Sequence, residues 1–223
     1  MRFWTTCIIF ILYLTEVSGQ DIQIGAIGGM TLFQGDYPSY RFKDTFTVLA
    51  NPGFGFFIRK PINERLSIKG SFYLTSFEGD DALDPNLAGL RTPSSFKYPA
   101  GELLITAEYA PIHFELASRP VDIYGLGGVG FSKTTFKNSV IDDDCPIVNL
   151  VLPLGLGIRS KISDLLTLSI QFEYVQALND CLDGYKGLSK TNDVYSSLKL
   201  GLSYGLSATG SSSNGKMIGC PTF

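Results

Sequence analysis

Two segments in the second half of the chain alternate apolar residues with small or polar ones. They cover residues 166–174 and 194–206. Because successive side chains of a β-strand point to opposite faces, each segment predicts a strand with one apolar face and one polar face. A soluble sandwich would bury its apolar faces in a core, whereas a small membrane barrel turns them toward lipid and fills its interior with the polar ones. Alternation alone does not separate the two architectures.

The first residues have the layout of a secretory signal peptide. Arg2 precedes an apolar run over residues 7–14, and the small residues Ser18 and Gly19 follow it. The run is shorter than the ~20 residues that a membrane-spanning helix needs, which argues against the alternative of a helical anchor. We therefore expect residues 1–20 to be cleaved and the rest of the chain to be exported, with strands as its only membrane spans.

The alternation and the turn residues between its segments predict eight strands. The predicted strands cover residues 22–35, 47–60, 66–77, 101–114, 121–136, 147–161, 166–177 and 194–208. Short and long connections alternate, as in outer-membrane barrels, which have short periplasmic turns and long external loops. The predicted fold is all-β, an eight-stranded antiparallel transmembrane barrel over residues 21–208, with its long loops outside a Gram-negative cell.

Charged residues lie on the polar faces of the predicted strands. If the apolar faces meet outer-membrane lipids, these charges fall inside the barrel. They are Arg59, Lys69, Glu102, Glu108, Arg159, Glu173 and Lys199. The interior of an eight-stranded barrel is just wide enough for side chains to fill it, and a buried charge needs a partner. The sequence therefore predicts a filled interior of paired acids and bases, and a conducting pore, the alternative, has no room.

Three of the four cysteines follow the leader. Cys145 and Cys181 fall in long loops that leave neighbouring strands at the same end of the barrel. In an oxidising compartment we expect them to form a disulfide, with two buried free thiols as the alternative. Cys220 lies in the segment 209–223, which begins with a linker rich in glycine and serine and is predicted to be a periplasmic tail.

The end of this tail is either a docking peptide or a frayed terminus. The residues that suit docking are Lys216, Met217, Ile218, Cys220 and Phe223. In a docking peptide the thiol of Cys220 has the chemistry to form a covalent disulfide with a partner. If the terminus is frayed, these side chains have no binding role.

Composition and motifs argue against several classes of function. The net charge of −3 does not suit a nucleic-acid partner. The only histidine, His113, lies among proline, isoleucine and phenylalanine, which suits a membrane-interface belt better than a catalytic triad or a metal site. Asp142, Asp143 and Asp144 suit a solvated acidic loop better than a calcium site. We expect no catalytic activity, no cofactor and no small-molecule substrate.

Short motifs spread along the chain resemble those of one protein family. They are Gly35-Asp36, Phe57-Ile58-Arg59, Leu90-Arg91 followed by Ser95-Phe96, Glu102-Leu103 with Glu108-Tyr109, residues 152–157, and residues 179–183. In order and spacing they resemble the PorG-type outer-membrane proteins associated with the type IX secretion system. The chain departs from that pattern in a short third outer loop, in Cys181 where an aromatic residue is usual, and in its tail.

The resemblance implies a non-enzymatic component of a secretion machine. PorG-type proteins associate with a periplasmic ring of the PorK lipoprotein and PorN, so this chain is expected to anchor such a ring to the outer membrane, with Cys220 available for a covalent link. From topology, the expected contacts are Asn63, Arg65 and Arg119 in the periplasmic turns together with the tail. The alternative is a stand-alone barrel of the OmpA or OmpX type that stabilises the envelope or adheres through its loops.

Overall fold

The computed structural model is a closed antiparallel barrel. It describes residues 22–34, 40–41, 47–48, 50–80, 95–116, 119–135, 146–179, 181–182 and 192–206. The strands are β1 (Ile22–Gln34), β2 (Tyr40–Arg41), β3 (Thr47–Val48), β4 (Ala50–Pro61), β5 (Leu66–Asp80), β6 (Ser95–Leu116), β7 (Arg119–Thr134), β8 (Val148–Lys161), β9 (Leu166–Ala177) and β10 (Val194–Leu206). The barrel order is β1-β10-β9-β8-β7-β6-β5-β4, and β2 pairs with β3 in a separate two-stranded sheet. The predicted eight-stranded barrel is confirmed.

Apolar side chains cover the outside of the barrel. Phe54 is 69% exposed and Leu156 is 68% exposed, and every barrel strand contributes large apolar residues to this surface. A continuous apolar exterior of this kind is typical of a barrel whose outer surface meets the hydrocarbon of a bilayer. The apolar faces of the alternating segments therefore point to lipid, which decides between the two architectures that the sequence left open. Within the described ranges, no helix is long and apolar enough to cross a membrane.

The two ends of the barrel differ. At one end, here called the turn end, residues 62–65 join β4 to β5 and residues 162–165 join β8 to β9. Side-chain oxygens close both turns: Asn63 Oδ1 accepts from the backbone N–H of Leu66 at 2.7 Å, and Ser163 Oγ accepts from that of Leu166 at 3.1 Å. Such bonds explain why asparagine and serine occupy these positions. At the opposite end, here called the loop end, β5 ends and β6 begins.

Some strand boundaries differ from the predicted ones. The described residues of the predicted strand 47–60 lie in β3 and β4, and β6 has 22 residues, beginning at Ser95 and ending at Leu116. At the loop end β5 and β6 continue as a hairpin, in which the Lys97 ammonium contacts the Glu78 carboxylate at 2.7 Å. Cross-strand pairs of opposite charge stabilise such extensions in water, where an apolar alternation is not required.

Two lumen-facing glycines make room for tyrosine rings. A Cβ atom at Gly157 would lie 2.5 Å from the hydroxyl oxygen of Tyr124, and one at Gly53 would lie 2.5 Å from that of Tyr73. Neither ring would fit beside a larger residue, so the glycines allow both tyrosines to cross the interior. Tyr124 faces the lumen, which fixes the orientation of β7, a strand whose glycine-rich residues 124–130 show no clear alternation in the sequence.

Candidate functional site in the barrel lumen and at the turn end

Glu108 is the centre of a cationic cluster in the half of the lumen nearer the turn end. Its carboxylate, which is fully buried, contacts the Arg59 guanidinium at 2.8 Å, the Lys69 ammonium at 2.9 Å and the Arg159 guanidinium at 3.2 Å. Arg159 also contacts the Asp122 carboxylate at 2.9 Å. Three cations thus share two carboxylates, which leaves this cluster with an excess of one positive charge.

Lys199 is the centre of an anionic cluster deeper in the barrel. Its ammonium contacts the Glu173 carboxylate at 2.5 Å and the Glu102 carboxylate at 3.4 Å. It also lies 4.3 Å from the centroid of the Tyr73 ring, within the range of a cation–π interaction. One cation between two carboxylates leaves an excess of one negative charge, which is opposite to the excess of the first cluster.

Gln171 connects the two clusters. Its Oε1 atom accepts a hydrogen bond from Lys69 at 2.8 Å, and its Nε2 atom donates one to Glu173 at 2.6 Å. The amide dipole is therefore aligned between the positive and the negative cluster, which is the favourable direction. Tyr124 adds a further bond, since its hydroxyl donates to Gln171 Oε1 at 3.2 Å. The lumen charges form one connected network.

The network is neutral as a whole when its residues are ionised. The structure brings together all seven predicted lumen charges and adds Asp122 as the fourth acid. The members are Arg59, Lys69, Arg159 and Lys199, with Glu102, Glu108, Asp122 and Glu173. Asp122 is not among the predicted lumen charges because the glycines of β7 interrupt the apolar alternation that would assign its face. Balance matters because an unpaired buried charge costs several kcal/mol, roughly 3–5 when a partner is removed.

Aromatic rings fill the lumen on the loop-end side of the network. Phe33, Phe77, Phe96 and Tyr195 are buried there. The centroids of Phe77 and Tyr195 lie 4.8 Å apart, and Phe33 meets Phe96 edge to face at 5.5 Å. The edge-to-face contact is one of the favoured geometries of aromatic pairs, and the Phe77–Tyr195 pair is tilted by 44°. With the ionic network beneath it, this cluster fills the middle of the described lumen with side chains.

The turn end opens into a cavity of about 660 Å³. Arg59 and Arg159 lie at its inner boundary, and the Nδ1 atom of His113 lies 2.6 Å from the Asp122 carboxylate, both on its wall. Two of the residues predicted to contact a partner, Asn63 and Arg65, also line it. The third, Arg119, is exposed at the start of β7. The structure therefore places these three residues at one end of the barrel.

The remaining predicted contacts lie outside the described residues. These are Lys216, Met217, Ile218, Cys220 and Phe223 in the tail, and Cys145 in the third loop. Cys181 is buried at the loop end, but its pairing with Cys145 stays a prediction. The leader and Asp142, Asp143 and Asp144 are likewise outside the described ranges.

Groups that could carry catalysis or metal binding are sparse in the part of the chain that the structure describes. No group of three or more histidine, cysteine, aspartate or glutamate side chains is arranged there to hold a metal ion. His113 lies beside Asp122, yet no serine or cysteine nucleophile lies within the described hydrogen-bond network of this pair. The described side chains of the lumen and the turn end form ion pairs and packing contacts.

The profile described as domain of unknown function DUF6089 matches residues 2–204. The chain belongs to this family. A comparison with curated proteins found no match.

Solved barrels are similar to this DUF6089 chain in fold. Neisserial surface protein A aligns with a TM-score of 0.51 and 10% identity over 85% of this chain and 98% of that protein. The N-terminal β-barrel domain of Pseudomonas aeruginosa OprF aligns at 0.46 and 13% identity, covering 85% and 100%. The attachment invasion locus protein Ail of Yersinia pestis aligns at 0.44 and 13% identity, covering 84% and 99%. At these identities the likeness to the Neisserial protein concerns the barrel fold alone.

Proposed function

We propose that this protein is a non-enzymatic outer-membrane barrel that acts as a membrane anchor for a protein assembly and does not conduct solutes. The observation that carries the proposal is the neutral, side-chain-filled lumen inside an apolar exterior. A barrel of this kind stays fixed in the bilayer, and its packed interior makes it rigid and leaves no channel for solutes. What it offers to other molecules is then its two ends.

The turn end is the proposed docking surface, and we place it in the periplasm. Short turns at one end and long connections at the other are the usual arrangement of outer-membrane barrels, in which the short turns are periplasmic. The side chains of Asn63, Arg65 and Arg119 are exposed at this end. The predicted tail follows β10, which also ends here, so the turns and the tail would present one surface.

The partner that we propose is a periplasmic ring of the type IX secretion system, of the PorK and PorN kind. The support is the resemblance of the sequence motifs to PorG-type proteins, together with a lumen that leaves no transport role for the barrel itself. A covalent link through Cys220 belongs to the same proposal. At the loop end we propose the Cys145–Cys181 disulfide, and the burial of Cys181 supports it.

Cross-linking in intact cells tests this proposal. A photoreactive residue is introduced at Arg65 or Arg119, and the same residue at Glu78 of the loop end serves as control. Irradiation followed by denaturing purification is expected to recover ring proteins from the turn-end variants and not from the loop-end variant. Equal recovery from both ends, or none, would contradict the anchoring role and would favour a stand-alone barrel.

A conductance measurement tests the closed lumen separately. Purified protein in planar bilayers is expected to give no stable current steps. Long-lived openings of uniform size in the unmodified protein would contradict a filled interior, and the absence of such openings would leave the docking surface as the functional part of the molecule.

A further inference from the structure

One hairpin at the turn end has a strand edge that pairs with no strand among the described residues. Strand β6 pairs with β5 only as far as Tyr109, which lies opposite Leu66, but it pairs with β7 as far as Leu116, opposite Arg119. Residues 111–116 therefore have β7 on one side, and no strand of the described chain on the other. Such an edge presents backbone N–H and C=O groups that another strand can pair with.

A β-bulge marks the place where this free edge begins. The pairing passes from Tyr109 opposite Gly125 to Ile112 opposite Ile123, so β6 has one more residue than β7 in this interval. The N–H of Ala110 still donates to the carbonyl of Arg65 at 2.8 Å, which ties β6 to the β4–β5 turn. A bulge changes the face on which later side chains appear. Without it, Ile112 and Phe114 would point into the turn-end cavity.

With the bulge, the free segment keeps two distinct faces. Ile112, Phe114 and Leu116 continue the apolar outer face of the barrel, and Ile112 is 51% and Leu116 is 63% exposed. His113 and Glu115 are on the inner face. His113 contacts Asp122, whereas Glu115 lies opposite Pro120 and makes no ion pair with any described residue. The segment has no lysine, and its only proline, Pro111, comes at its start, so the backbone N–H groups that a partner strand can use are those of residues 112–116.

We infer that this edge binds an extended segment of a partner protein by β-strand addition. Residues 111–116 extend about 20 Å at ~3.4 Å per residue, enough for a short added strand. The side chains along the edge define the partner segment. It should carry apolar residues at alternate positions, which would lie beside Ile112, Phe114 and Leu116, and a lysine or arginine opposite Glu115. This inference rests on the proposed function, in which the turn end is the docking surface.

The test uses the full chain folded in detergent micelles and a labelled synthetic peptide that alternates valine with lysine and threonine. Fluorescence anisotropy measures its binding. Methylating every second backbone nitrogen of the peptide removes the donors on one edge only. We expect one methylated set to weaken binding by about tenfold or more and the other set to leave it unchanged, since an added strand pairs through a single edge. Equal effects of the two sets, or no binding of the parent peptide, would overturn the inference.

A charge exchange locates the added strand. Glu115→Lys is expected to weaken the binding of the lysine peptide and to strengthen the binding of a peptide with glutamate in place of lysine. The matched control is Asp164→Lys, which makes the same charge change in the exposed β8–β9 turn and is expected to leave both affinities unchanged. Equal responses of the two variants would show that the peptide responds to net charge, and would contradict strand addition at β6. Because no secretion protein is used, a failure here is distinguishable from a failure of the cross-linking in cells.

Discussion

Replacement of Glu108 by glutamine tests the lumen network most directly within the folded barrel. The substitution keeps the shape of the side chain and one carbonyl oxygen, but it removes the anion that Arg59, Lys69 and Arg159 share. Asp122 would then be the only acid left in direct contact with a cluster of three cations. Removing one partner of a buried ion pair costs roughly 3–5 kcal/mol, because the remaining charge is no longer compensated. We expect Glu108→Gln to lower the free energy of unfolding by about 3 kcal/mol.

The assay is equilibrium unfolding in urea of the barrel in lipid vesicles, followed by far-ultraviolet circular dichroism and by the shift of the folded band on unheated gels. Dichroism is needed because the only tryptophan, Trp4, lies in the predicted signal peptide. Glu64→Gln in the exposed β4–β5 turn is the matched control, and it is expected to change stability by no more than ~0.5 kcal/mol.

A double variant separates charge from packing. Glu108→Gln combined with Lys69→Met removes one cation together with the anion, so we expect it to be more stable than Glu108→Gln alone, with a coupling of roughly 1–3 kcal/mol. A loss below about 1 kcal/mol for Glu108→Gln, or strict additivity of the two substitutions, would refute the shared-carboxylate account.

Three further outcomes are expected. Leu200→Arg, near the middle of the lipid-facing side of β10, should cost about 2–4 kcal/mol in the same unfolding assay, and a neutral effect would contradict its contact with hydrocarbon. Gly128→Ala should destabilise the barrel because its Cβ atom would meet the backbone of Ile105 and Thr106, and unchanged stability would contradict this close approach. Peptide mass mapping without reduction should recover Cys145 linked to Cys181, and alkylation of both thiols would refute the disulfide.

The alternation of side chains was sufficient to predict the barrel and most of its interior. Lys69, Glu173 and Lys199 each lie in a segment with clear period-two alternation, so their orientation followed from the sequence. The partner of each charge could not be predicted, because a pair such as Glu108 and Lys69 depends on the register between β5 and β6. Register is fixed by tertiary hydrogen bonding and turn geometry, which a single strand sequence does not specify.

The parts that sequence reasoning missed have specific physical causes. Asp122 lies two residues after Pro120 and three residues before the glycine-rich segment 125–130, so no clear apolar alternation marks the side to which it points. The projecting end of β6 was cut short at Phe114, because the bulge shifts the alternation by one residue and makes the apolar residues change from odd to even positions. A bulge is one extra residue in the pairing of two strands, and only their register reveals it.

The central claim is that the apolar faces of the strands meet lipid while the charges lie within the barrel. Spin labels placed one at a time at positions 198–203 of β10, in a background without native cysteines, test it in lipid vesicles. We predict that accessibility to oxygen, which concentrates in the bilayer, peaks at Leu198, Leu200 and Leu202 and falls at Lys199, Gly201 and Ser203. Accessibility to oxygen that is uniform along β10, or that peaks at Lys199, Gly201 and Ser203, would contradict the account.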